Sequence, residues 1–134
     1  MKTNNDETGI AGDLRSWLSY LGSTGRVAVV RERVKLQHQL AAIAKRLDGK
    51  QAAFFPAPDG HAVPVVSGFM SRRAWIAEAM GVKESELLAA FRKASDNPLP
   101  WSEVPSSEAP CQQVVTHDID LHAALPIPTH SEHD

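Results

Sequence analysis

All fourteen lysines and arginines of this 134-residue chain lie at or before Lys93, while six of its nine prolines fall after residue 97. Proline lacks the backbone donor that helix interiors and central strands need. The last third therefore cannot simply continue the regular structure of the rest. Asp96, Glu103, Glu108, Asp118, Asp120, Glu132 and Asp134 make that part acidic, whereas the residues through Lys93 hold fourteen basic and nine acidic side chains, about +5. The chain divides near Ser95 into a mildly basic body and an acidic, proline-rich tail. Three segments are expected: a disordered polar lead-in over 1–11, an α/β domain over 12–95, and a connector over 96–134.

Periodicity fills in the body. Asp13 is placed to cap a helix with Leu14, Trp17, Leu18 and Leu21 on one face, closed at Gly22. Val27-Ala28-Val29-Val30 reads as a strand that runs on through Lys35, with Arg31, Arg33 and Lys35 sharing a face. A helix is expected from about Gln37 to Leu47, its stripe Leu36, Leu40, Ile43, Ala44 and Leu47, with Lys45 and Arg46 at its negative end. Ala52 to Phe55 and Val63 to Ser67 are strands around the turn Pro56 to Gly60, and Pro64 makes the second an edge. Ser71 is placed to cap a helix over Arg72 to Met80, with Trp75, Ile76, Ala79 and Met80 inward. Another runs from Glu84 to Lys93, with Leu87, Leu88 and Phe91 as its apolar stripe. This order argues for an α+β fold, a small mixed sheet packed with helices. The 43% hydrophobic content is enough for one modest core.

In the tail, Val114-Val115 is a candidate strand. Asp118 or Asp120 can cap a turn of helix through Leu121 and Leu125, and Pro126 and Pro128 force an extended exit. An apolar extended segment at this place reads as a connection toward a further domain, ordered from about Cys111 onward only when that domain or a partner covers it.

Each candidate for chemistry has a plainer reading beside it. His117, Asp118, Asp120, His122, His130, Glu132, His133 and Asp134 are metal-ligand types, and His130-x-x-His133 is a spacing some metal sites use. They fall on a loose end, where a solvated tail is the simpler account. Cys111 is a nucleophile only if His117 or His122 serves as its base, and no cation or helix N-terminus activates it. Gly22-Ser23-Thr24-Gly25 lacks the lysine of a phosphate loop and reads as a turn. Arg26, Arg31, Arg33 and Lys35 suggest an anion site or a dock for the acidic tail. The small net charge and the lack of interleaved aromatics argue against nucleic acid. Trp17 and Trp75 belong to the core, while Trp101 is a candidate anchor of the tail.

Several stretches together resemble one family. Ala109-Pro110-Cys111-Gln112-Gln113, then Asp118-Ile119-Asp120-Leu121, then Leu125-Pro126-Ile127-Pro128-Thr129 look like the entry to the central domain of UbiD-type decarboxylases. Asp13 to Leu18, Ala53 to Pro56 and Val63 to Val66 are similar to that family's N-terminal domain, in the same order. The resemblance covers about residues 12–134, the beginning of a much longer protein. It implies decarboxylation of aromatic or α,β-unsaturated acids with prenylated flavin mononucleotide, a divalent metal and potassium, held by a downstream catalytic domain or separate catalytic subunit. It also implies a homo-oligomer at full length. No position here matches the family's catalytic arginine and glutamates, so no catalytic, cofactor-binding or metal residue is assigned. The chain is expected to be the catalytically incomplete N-terminal part of such an enzyme, with the segment Pro110 to Pro128 as hinge and docking strand. The alternatives are an accessory subunit docking on a decarboxylase, or an anion-binding module built on Arg31, Arg33 and Lys35.

One cysteine, no apolar run of membrane-spanning length and a polar, acidic Met1 to Glu7 point to a cytoplasmic protein without a membrane partner.

Overall fold

A computed structural model of the chain describes residues 12–131; the expected lead-in over 1–11 and the last three residues lie outside the described range. The order of elements is α1 (Leu14–Ser23), β1 (Val27–Val29), α2 (Gln39–Leu47), β2 (Ala52–Phe55), β3 (Val65–Ser67), α3 (Arg73–Ala79), α4 (Leu87–Asp96) and α5 (Leu121–Ala124). The three strands form one mixed sheet in the order β1-β2-β3. β1 runs parallel to β2, and β3 returns antiparallel to it. This is the α+β arrangement that the sequence predicts.

Side chains alternate across a strand, so β2 divides the core between two faces. Ala52 lies with Trp17, Leu21, Trp75 and Ala79, under α1 and α3. Ala53 and Phe55 lie with Val34 and Leu40, with Ile43 and Leu47 of α2 packed against them. Both faces of a short sheet are thus covered by three helices.

Local chemistry explains the ends of α1. The Asp13 carboxylate accepts from the Ser16 backbone N–H at 2.7 Å, and the Asp13 N–H donates to Ser16 Oγ at 3.0 Å, a reciprocal capping box. The helix runs past Gly22, the expected stop, and ends at Ser23. Gly25, at φ +71°, takes the left-handed position instead.

Three other expectations are corrected. The first strand does not continue through Lys35. Val30 N–H still reaches Phe54 C=O at 2.8 Å, but the chain then turns so that Val34 is buried and its carbonyl accepts from Asp59 N–H at 2.8 Å. Arg31, Arg33 and Lys35 therefore share no strand face. Ser71 does not cap α3: its Oγ accepts from Gly49 N–H at 3.3 Å, and Arg72 holds the cap position. The stripe of α4 is buried only at Leu87, and Leu88 and Phe91 are exposed. The buried sheet positions are already taken by α1, α3 and α2, and α4 packs on the body through Leu87.

The tail carries no strand at Val114-Val115, which is exposed. Asp120 is the cap of α5, its carboxylate accepting from the N–H groups of His122 and Ala123 at 2.9 and 3.2 Å. Beyond α5 the chain returns to the body. Gln37 and Thr129 form a parallel bridge, in which His38 N–H donates to Thr129 C=O at 2.9 Å and Thr129 N–H to Leu36 C=O at 3.3 Å. Pro126 is buried there. No helix among the described residues is long and apolar enough to cross a membrane.

Candidate functional site

The densest polar construction in the body joins β1, α1 and α3. Arg26, just before β1, directs both guanidinium nitrogens to the Glu78 carboxylate of α3, Nη2 lying 3.1 Å from Oε1. Tyr20 of α1 donates its hydroxyl to the same carboxylate. The Arg26 guanidinium also lies 5.1 Å from the Tyr20 ring centre and 5.7 Å from that of Trp75, within cation–π range. Tyr20 in turn stacks on Trp17 at 5.6 Å, and Trp17 Nε1–H donates to Phe69 C=O at 2.9 Å. Charge and ring faces satisfy one another, so this cluster is a clamp and not an open site. Arg26 is withdrawn from any anion-binding row.

The Arg26 guanidinium holds the Glu78 carboxyl below its ordinary range, and the hydrogen bond to Glu78 pushes the Tyr20 hydroxyl up. A carboxyl whose folded value is depressed stabilises the fold above its unfolded value, and that stability is lost as pH falls through the folded value. Glu78→Gln should therefore lower stability at neutral pH by about 1–2 kcal/mol, discounted for the partial exposure of the pair. The gap to the parent should close below the ordinary glutamate range. Urea titrations at a series of pH values measure it; a gap independent of pH would show that the charge is idle.

The remaining candidates are dispersed. Arg33 lies over Gly60 and donates to Asp59 C=O at 3.5 Å, while Arg31 and Lys35 are exposed in the same loop. Cys111 is exposed on a short turn, Pro110–Gln112. His117, Asp118 and His122 are exposed as well, Asp120 is used as a helix cap, and Glu132, His133 and Asp134 lie outside the described residues. Among the described residues no three His, Cys, Asp or Glu come together in a group able to hold a metal ion. Trp101 anchors nothing on the body and is exposed. A flavin phosphate and its metal demand converging cations and carboxylates, and the described residues do not fit that demand.

What the fold does offer is surface. Leu88 and Phe91 on α4, then Leu99, Trp101, Val104, Val114, Val115, Ile119 and Leu121 along the tail, are all exposed. Exposed apolar groups on a soluble domain commonly mark contacts with another polypeptide. The tail is backbone-paired to the body at Thr129 and buries Ala109 and Pro126, while most of residues 97–120 are exposed.

The comparisons give the family. The chain belongs to the UbiD family: residues 18–95 match its "3-octaprenyl-4-hydroxybenzoate carboxy-lyase N-terminal domain". It is also similar to the UbiD-class enzyme HmfF from Pelotomaculum thermopropionicum. One structure, in complex with FMN, is 37% identical with a TM-score of 0.79 over 88% of this chain and 27% of that one. A second, an evolved dimeric form in complex with prFMN, is 36% identical with a TM-score of 0.81 over 90% and 29%. An "Uncharacterized protein in cooM 5'region" of Rhodospirillum rubrum is 32% identical over 129 residues, 93% of this chain and 27% of that protein. The chain thus spans little more than a quarter of the length of these relatives.

Proposed function

We propose that this chain serves as the N-terminal domain of a UbiD-class decarboxylase acting on aromatic or α,β-unsaturated carboxylic acids. Residues 12–95 are the domain, and residues 96–134 are the connector toward the cofactor-binding part. The observation that carries this reading is the close likeness, over about nine-tenths of the chain, to an enzyme whose structures hold FMN and prFMN. Prenylated flavin supplies an electron sink for loss of carbon dioxide. A divalent metal and potassium would accompany it in this reading. Both are assigned to the catalytic part, because the residues here do not fit them. What this chain contributes is a folded support and a set of apolar docking groups, with Pro110 to Pro128 as the hinge. An oligomer of the full-length protein, in the cytoplasm, completes the reading.

The test is the purified chain supplied with prenylated flavin and aryl or unsaturated acids. It should retain no flavin through gel filtration and release no carbon dioxide. Stoichiometric flavin absorbance with turnover would overturn the assignment of the chemistry to another part.

A further inference from the structure

Gln37 and Gln39 stand two residues apart in different kinds of structure. Gln37 pairs with Thr129 as a strand residue, while Gln39 is already the first residue of α2. The bridge needs Leu36 C=O and His38 N–H to face Thr129 together, and they meet it at 3.3 and 2.9 Å. On the other side Leu40 is 3% exposed in the core, and its N–H donates to Lys35 C=O at 3.1 Å, which fixes where the helix begins. His38 alone is left to make the reversal. It does so at φ 60° and ψ −34°, with Gln39 N–H folded back onto Gln37 C=O at 2.6 Å. A bond from residue i to i+2 around a positive φ is the rare, strained form of γ-turn. The negative ψ also lies outside the left-handed helical well that a histidine tolerates. The His38 side chain is exposed and makes no cap to α2, so it does not offset the strain.

We propose that Thr129 and the His38 turn form one two-state latch, closed in this structure, that couples the seat of the connector to the first turn of α2. With the latch closed, the bridge holds Gln37 extended and forces the whole reversal onto His38. With Thr129 withdrawn, Leu36 C=O and His38 N–H no longer have to face one way, and His38 returns to an unstrained conformation. Strain of this kind persists only where the surrounding contacts over-determine it, so it sets a latch that releases at low cost. Helix α2 carries the change inward. Leu40 lies in the core with Ala53 and Phe55 of β2, and Ile43 and Leu47 pack on the same cluster. The connector stays beside α2 after the latch, where His130 lines a small pocket with Ala41, Ala44 and Lys45. Coupling of this kind is reciprocal: easing the turn tightens the seat of Thr129, and removing the seat frees the turn. The proposal goes beyond the function above by giving the Pro110 to Pro128 hinge a releasable fixed end. It rests on contacts within this chain and not on the decarboxylase reading.

Nuclear magnetic resonance of the full 134-residue chain tests this. In the parent, the His38 and Thr129 amides should be protected from exchange. His38 should also show the strong contact between its own amide and α protons that a positive φ produces. His38→Gly removes the strain and should raise the protection of the Thr129 amide about tenfold. His38→Ile, a β-branched side chain at a positive φ, should lower it by about the same factor. Val30 N–H, bonded to Phe54 C=O, is the reference, and its protection should not move in either variant. Thr129→Pro deletes the donor to Leu36 and should remove both the positive-φ signature of His38 and the protection of Gln39. An unprotected Thr129 amide in the parent overturns the closed latch. Equal Thr129 protection in His38→Gly and His38→Ile overturns the strain. A His38 signature and Gln39 protection untouched by Thr129→Pro overturn the coupling and leave the turn a fixed feature of the start of α2.

Discussion

Trp17→Ala should leave little or no folded chain at room temperature. Trp17 is 1% exposed, wedged between α1 and the sheet beside Leu21, Ala52 and Trp75. Removing a buried aromatic side chain costs about 3–5 kcal/mol, because the cavity collapses only in part. Two further losses add to it. The Phe69 carbonyl is left without the indole donor, and Tyr20 loses its stacking partner just where it must reach Glu78. A domain of this size has only about 5–15 kcal/mol in all. Leu14→Ala is the control: it lies on the same helix but is half exposed, and should change stability by less than about 1 kcal/mol. Urea denaturation followed by far-ultraviolet circular dichroism compares the two. A Trp17→Ala chain within about 1 kcal/mol of the parent would contradict the assignment of this side chain to the core.

Much of what is local in this fold was legible in the sequence, though not the cap of α3 or the end of α1. The Asp13 and Asp120 caps follow from side chains that bond two or three residues on, and β2 follows from a short apolar run beside turn residues. What depends on distant partners was not. Nothing near Arg26 announces Glu78, which lies 52 residues away, so a charge on the edge of a strand looked like part of a binding face. The stripe of α4 showed that Leu88 and Phe91 want a cover, but periodicity cannot say where the cover is. The tail shows a third limit. Pro126 and Pro128 suggested a segment unable to pair, yet each is followed by a residue that keeps its N–H. Thr129 uses that donor, and its own carbonyl, to join Leu36 and His38 outside the sheet. No metal group or nucleophile stood out, because the candidate ligands fell on a loose end and Cys111 had no activating neighbour, and recognisable stretches from Asp13 to Thr129 carried the family where chemistry did not.

The largest functional effect is expected when this domain is given a catalytic part to support. A chimera with residues 12–131 in place of the matching first segment of the Pelotomaculum HmfF tests this directly, since the two share 36–37% identity and one fold. Such a likeness preserves core positions, while docking groups on residues 97–120 and α4 must find surfaces evolved for another sequence, so activity should be reduced but present. The chimera should be soluble, hold prenylated flavin in near one-to-one ratio and keep a reduced but measurable part of the parent enzyme's activity. Introducing Trp17→Ala should abolish both together by unfolding the support. The measurement is flavin content by absorbance, with carbon dioxide release on the parent's substrate. A folded chimera with neither flavin nor turnover would contradict the claim that this chain is a working UbiD-class N-terminal domain.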